Sequence, residues 1–147
     1  MRDLTRYLLD VNVLIALIDP VHVFHNRAHA WFRSVGRHAW ATCPLTENAV
    51  LRIVGSVRYA NSPGTPAAVA SVLKTFCAHS GHEFWPDDLP LLNSSRIDSN
   101  RLLNSSQITD SYLLALAQQH KGHLASFDAR MVTDAVIGCA SALHLIP

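Results

Sequence analysis

Short apolar runs alternate with stretches of helical periodicity along this chain, and that alternation limits its fold more than any other feature. RYLLDV (6–11) suits a buried strand, and NVLIALID (12–19) continues at once as a helix. Asp19-Pro20 ends that helix, because the residue before a proline is driven out of the helical region. HNRAHAWFRSVG (25–36) sets Ala28, Trp31, Phe32 and Val35 on one face and stops at Gly36, a residue type that favours helix C-termini. HAWATCP (38–44) reads as a second strand, and LTENAVLRIVGSV (45–57) as a helix with Thr46 or Asn48 near its start. NSPGTP (61–66) is a loop, AAVASVLKTFCAHS (67–80) a helix and HEFWP (82–86) a third strand. LNSSRIDSNRLLNSSQ (92–107) is a polar loop with a helical turn. QITDSYLLALAQQ (107–119) has Ile108, Tyr112, Leu113, Leu116 and Ala117 at the spacing of an amphipathic helix. HLASFD (123–128) and ALHLIP (142–147) are the last strands. β and α units alternating without a long linker predict one α/β domain over 1–147, a parallel sheet covered by helices on both faces.

Composition narrows the class. With 49% hydrophobic and 16% charged residues, 147 residues bury a substantial core. A formal net charge of +1 excludes a global basic field, so any nucleic-acid role rests on a local site. Cys43, Cys77 and Cys139 lie far apart with no CxxC pair, which suggests reduced thiols in a cytoplasmic protein rather than a zinc site or disulfide framework. MRDLTRYLLD has too short an apolar stretch for a signal peptide, and the longest apolar run, VLIALI, is far below membrane-spanning length.

Four acids occupy equivalent places in this pattern. Asp10 ends YLLD and Asp128 ends LASFD. Glu47 opens the helix after the second strand, and Val50, Leu51 and Val54 share its face. Asp110 opens a later helix, with Leu113, Leu114 and Ala117 on its face. Strand C-terminal ends and the N-termini of the following helices share one edge of an open parallel sheet, where ligands bind at the switch in strand order. Carboxylates crowded there repel one another and resist ionisation. A hard divalent cation, Mg²⁺ or Mn²⁺, relieves that conflict, activates water and neutralises charge growing on a phosphate. Each acid also has a plain structural explanation: a helix cap or first-turn charge for Asp110 and Glu47, and a turn cap for Asp128. Asp10 is harder to explain without a partner.

The stretches LLDVNVLIAL, TENAVLRIV, ITDSYLLALA and LASFD, in that order, resemble the PIN-domain family and, within it, the VapC-type toxins of bacterial toxin–antitoxin pairs. The tail ALHLIP is similar to the usual close of such proteins. The resemblance implies a three-layer PIN-like domain, a parallel sheet of four or five strands flanked by helices, with an acidic pocket at one edge. It implies that Asp10, Glu47, Asp110 and Asp128 bind Mg²⁺ or Mn²⁺ and carry catalysis. Asn12, Thr109 and Ser126 match supporting positions, Ser126 standing where threonine is commoner. The implied activity is endonucleolytic cleavage of RNA. The implied partners are an RNA substrate, a VapB-like antitoxin that wraps over helices near the pocket, and a second copy in a homodimer.

Other readings remain open at this point. The fold also serves RNA-processing nucleases that have no antitoxin. An aspartate-nucleophile phosphatase would use Asp10, but Asn12 stands where a second acid is wanted. A binding module without catalysis is a further class. Arg96, Arg101 and Arg130 are candidates to meet RNA phosphate, and each is equally explained as a surface residue. His25 and His29 have i, i+4 metal spacing but no suitable companion ligand, so a surface-helix role is preferred. HKGH (120–123) reads as a helix end with Gly122 just past it, and the tryptophans read as core. The helices at 45–57 and 67–80 would leave a groove for a partner helix or a second subunit.

Overall fold

The computed structural model describes residues 4–147. Residues 1–3, the start of the stretch weighed as a leader, lie outside the described residues. Strands β1 (Tyr7–Leu9), β2 (Trp40–Thr42), β3 (His82–Phe84), β4 (His123–Ser126) and β5 (Leu143–Leu145) form one parallel sheet in the order β3-β2-β1-β4-β5. The helices are α1 (Val11–Ile18), α2 (His25–Ser34), α3 (Pro44–Val54), α4 (Pro66–Cys77) and α5 (Ile108–Gln119).

Successive strand residues point to opposite faces, and the core divides accordingly. Leu9, Trp40 and Ala125 face a cluster with Val13, Phe32, Val50 and Leu73, drawn from α1 to α4. Leu8, Ala41 and Leu124 face Leu113, Leu116, Trp85 and Ile97 on the other side. Helix on both faces of a parallel sheet is the three-layer arrangement expected from the alternation. The chain builds outward from β1 through β2 to β3, then returns to place β4 on the other side of β1. The switch in strand order therefore lies between β1 and β4.

Local chemistry moves several boundaries. Pro44, expected in the second strand, is the first residue of α3. That position needs no backbone N–H donor, and proline's fixed φ suits it. The helix is capped at Cys43, and Thr46, one of the two residues expected near its start, completes the cap from the first turn. The Thr46 hydroxyl donates to the Cys43 carbonyl at 3.0 Å and accepts from its N–H at 3.1 Å. Gly36 does not end α2 through a left-handed turn. A Cβ there would meet the Trp31 ring at 2.5 Å, so the glycine makes room for an indole. At the end of α5 the left-handed residue is Lys121, with φ 57°, not Gly122. The N–H groups of Lys121 and Gly122 bond the carbonyls of Gln118 and Ala117 in a Schellman closure. Gly122 is instead required by the close backbone of Arg6, whose carbonyl oxygen would lie 2.5 Å from an added Cβ.

Helix α5 is not amphipathic in place: every residue from 111 to 117 is buried. Its outer side is wrapped by the irregular chain before and after it. Trp85, Leu89 and Ile97 from one segment and Val136 and Ala142 from the other join its cluster. Ile97 and Val136 pair across the wrap in an isolated antiparallel bridge. The polar look of 92–107 hides this anchor, because two short 3₁₀ turns (Ser99–Arg101 and Ser105–Gln107) carry most of the remaining polar residues outside, Gln107 excepted.

Candidate active site

The switch point gathers aspartates from three separate elements. Asp10 follows β1 as the N-cap of α1, in the extended conformation a cap requires (φ −61°, ψ 157°). Its Oδ1 accepts the Val11 N–H at 2.8 Å, and its Oδ2 accepts the Ser126 hydroxyl at 2.6 Å. Asp10 therefore has a capping role that the sequence reading did not assign to it, and its place costs the protein something. Asp10 is only 6% exposed, and burial raises its pKa. The bonds from Ser126 and Val11 pull the other way, and Asp128 adds to the rise.

Ser126, fully buried at the end of β4, ties the site together. While donating to Asp10, its oxygen accepts the Asp128 N–H at 3.1 Å. One hydroxyl therefore sets the spacing between the acids after β1 and β4. Asp128, two residues past β4, is held in turn by the Arg130 N–H, 2.9 Å from its Oδ1.

Asp110 comes from the opposite layer. It is the third residue of α5, whose cap position belongs to Gln107. Among the described residues its carboxylate has no hydrogen-bond partner. Burial first, then the charges of Asp10 and Asp128, push its pKa up to about 6 from the ordinary 3.8. A first-turn acid serving only the helix dipole would be stabilised in its charged form. Asp110 is not.

Glu47 sits on the same edge, in the first turn of α3 beside the end of β2. It does not contribute to the pKa rise of Asp10 or Asp110. Its Oε2 accepts the Thr42 hydroxyl at 2.8 Å, and Thr42 also lies 2.7 Å from His82 Nε2. With burial, Glu47's charge helps push the Cys77 thiol up to about 11, which disfavours the thiolate. Sequence reading missed Thr42 and His82. A hydroxyl closing β2 five residues before Glu47 is a faint signal for the first. The second depends on the β2–β3 register, which pairs Trp40 with His82.

The donor set suits a hard cation: all oxygen, with mutually repelling carboxylates at the switch point. Asn12 adds a buried Oδ1 without a partner close along the chain to Asp10. Among the described residues no three His, Cys, Asp or Glu side chains stand close enough together, as placed, to hold a metal ion. Thr109 is exposed and lines an apolar hollow with Tyr112, Leu45 and Leu89. Of the three arginines, Arg101 pairs with Asp98 at 3.4 Å, and Arg96 is partly buried. Exposed Arg130 alone is linked to an acid of the site, through its backbone. His25 and His29 bond the Ala16 and Leu17 carbonyls at 2.7 and 2.8 Å, closing the end of α1, so they are structural. Trp31, Trp40 and Trp85 are all buried, as core residues should be.

The space between α3 and α4 is small, about 180 Å³, and bounded by Glu47, Leu51 and Leu73. A larger open groove of about 620 Å³ lies away from the acids. It runs along α2 and α4, between Phe32, Arg33 and Arg37 on one side and Val72 and Phe76 on the other.

Comparison with known proteins identifies the family and the fold. A family profile described as PIN domain matches residues 7–134. Ribonuclease VapC44 of Mycobacterium tuberculosis is 42% identical over 140 residues, 95% of this chain and 97% of the relative. Ribonuclease VapC39 of the same organism is 40% identical over 136 residues, 92% and 98%. A toxin–antitoxin complex from Klebsiella pneumoniae has the same fold, with TM-score 0.55 at 18% identity, covering 96% of this chain and 98% of that one.

Proposed function

The chain belongs to the PIN-domain family, and we propose that its acidic edge cleaves RNA as the toxin half of a VapC-type toxin–antitoxin pair. One observation carries the chemistry: at the β1–β4 switch point burial and Asp128 raise the pKa of Asp10, burial with Asp10 and Asp128 raises that of Asp110, and among the described residues no cationic side chain offsets either rise. These aspartates, with Glu47, would hold Mg²⁺ or Mn²⁺, which would supply that relief, acidify an attacking water and offset charge on the phosphodiester.

The residues divide the work. Asp10 and Asp128 are fixed by hydrogen bonds from Ser126, Val11 and Arg130, so they hold position. Asp110, free of such bonds, is the carboxylate able to accept the water's proton as its oxygen bonds to phosphorus. The P–O bond to the leaving ribose then breaks, and that oxygen is protonated from solvent. Arg130, exposed and bonded to Asp128 through its backbone, is the arginine of the three that would offer charge to the RNA backbone. The phosphatase reading fares worse, since both oxygens of Asp10 already accept hydrogen bonds in a buried place.

The toxin reading draws support from the ribonuclease names of the relatives and the toxin–antitoxin neighbour. The groove along α2 and α4 accommodates an antitoxin segment, and a homodimer is the expected state. No helix among the described residues is long and apolar enough to cross a membrane, and the free thiols suit cytoplasmic action on RNA. In this reading 1–147 is a single PIN domain.

The test is RNA cleavage by purified, partner-free protein, wild type against Asp110→Asn, with Mn²⁺, with Mg²⁺ and with EDTA. Metal-dependent cleavage lost in the variant supports the assignment. Equal cleavage by both proteins overturns it.

A further inference from the structure

Glu47 is anchored by a chain of hydrogen bonds that begins on the neighbouring strand, β3. Thr42 closes β2 and is fully buried. Its hydroxyl touches Glu47 Oε2 at 2.8 Å and His82 Nε2 at 2.7 Å. A threonine hydroxyl has one proton to give, and an ionised carboxylate only accepts. Thr42 must therefore donate to Glu47, and His82 must donate to Thr42 from Nε2. The imidazole is itself fixed: it opens β3 beside Trp40, with ring centroids 4.6 Å apart, and Trp40 is fully buried. The bonds all run one way, from His82 through Thr42 to Glu47, and end on one carboxylate oxygen. Among the described residues Oε1 takes no hydrogen bond.

We propose that Thr42 and His82 are positioning residues that fix Glu47 Oε2 and thereby present Oε1 toward a divalent cation at the acidic edge. The proposal rests on the reading of Glu47 as a fourth acid of the site. Donors behind a metal-binding group orient it and set its basicity, and their loss typically costs a metal site about 10–100-fold. Neither residue need touch substrate. An isolated buried hydroxyl would be as well replaced by a methyl group, whereas one committed to a carboxylate would not.

The experiment measures Mn²⁺ affinity by isothermal titration calorimetry, and kcat and KM for RNA cleavage, on the full chain. Glu47→Gln is the reference and weakens both binding and cleavage if Glu47 is a ligand. Thr42→Val keeps the shape and removes the donor; it is expected to weaken Mn²⁺ binding about 10-fold or more, lowering kcat with KM little changed, while Thr42→Ser stays within about 3-fold of wild type. His82→Gln, which keeps a donor, should lose less than His82→Leu. Thermal melts confirm that the variants are folded. Wild-type Mn²⁺ affinity in Thr42→Val, with Glu47→Gln impaired, overturns the proposal and leaves the site intact. Equal impairment of Thr42→Ser and Thr42→Val makes the role one of packing and also overturns it. Wild-type binding and cleavage by Glu47→Gln removes Glu47 from the site, and the proposal with it.

Discussion

Helix α1 carries a buried carboxylate at each end, and the two have opposite characters. Asp19, the C-cap, is 4% exposed, and Asp10, the N-cap, is 6% exposed. Burial alone would raise the pKa of both. Around Asp19 that push is outweighed by donors from the Tyr59 hydroxyl, the Val21 N–H and the Asn61 amide, helped by His22, and its pKa falls below the ordinary value. Around Asp10 two donors are not enough, and the nearby Asp128 worsens the balance. Low exposure alone is therefore no guide to role: Asp10 lies far deeper in the fold than Asp19, and burial weighs correspondingly more on it. Asp19 clamps the loop after α3 onto α1, while Asp10 keeps a raised pKa that its two donors do not offset.

The largest effect that tests this contrast is a pair of substitutions. Asp10→Asn should lose more activity than the about 10–100-fold typical of groups behind a metal ligand, with no loss of melting temperature. Asp19→Ala should do the reverse. It strands a tyrosine, an amide and a backbone N–H, and costs about 3 kcal/mol in urea unfolding, with kcat of the folded fraction unchanged. If Asp19→Ala abolished catalysis in folded protein, the division would collapse.

Next comes the bridge. Ser126→Ala frees Asp10 and the Asp128 loop together and should lower kcat about 10–100-fold, while Ser126→Thr restores it because the hydroxyl is what matters. Equal loss in both variants would make the position one of volume only.

pH separates the two ends more gently. The folded pKa of Asp110, about 6, lies above the unfolded 3.8, so the folded protein binds the extra proton. Metal-free stability should therefore fall as pH rises from about 4 to 6, and Asp110→Asn should make that fall shallower. Asp19, with its pKa lowered, contributes stability that is present above 3.8 and disappears as pH drops below it. Urea midpoints measured between pH 3 and pH 8 check both signs; a wild-type slope unchanged in Asp110→Asn contradicts the first. The smallest effect lies away from both ends. Lys121→Gly relieves the left-handed backbone at the close of α5 and should add about 0.5–1 kcal/mol without altering cleavage.

These contrasts also mark what the sequence made legible. The period of the apolar runs was enough for the strands, the helices and the shared edge, because strand ends and helix starts are local properties. The acids at that edge could be picked out for the same reason. Asp19 could not be told from a solvated helix end, since Tyr59 and Asn61 reach it from forty and more residues away. The support for Glu47 was hidden likewise, because His82 meets Thr42 only through strand pairing. The all-round burial of α5 was obscured by wrapping segments whose composition is polar. Gly36 and Gly122 looked like helix stops, but what they satisfy is contact with Trp31 and Arg6, which spacing along the chain does not reveal.

The central claim is that the aspartates at the β1–β4 switch point are kept in conflict until a cation relieves it. Its most direct test is the thermal melt of the partner-free protein at pH 8 with rising Mn²⁺, for wild type and Asp110→Asn. Saturable stabilisation of the wild type, largely lost in an Asp110→Asn protein that is itself more stable without metal, is the predicted result. A wild type that Mn²⁺ does not stabilise, or a variant stabilised just as much, would contradict it.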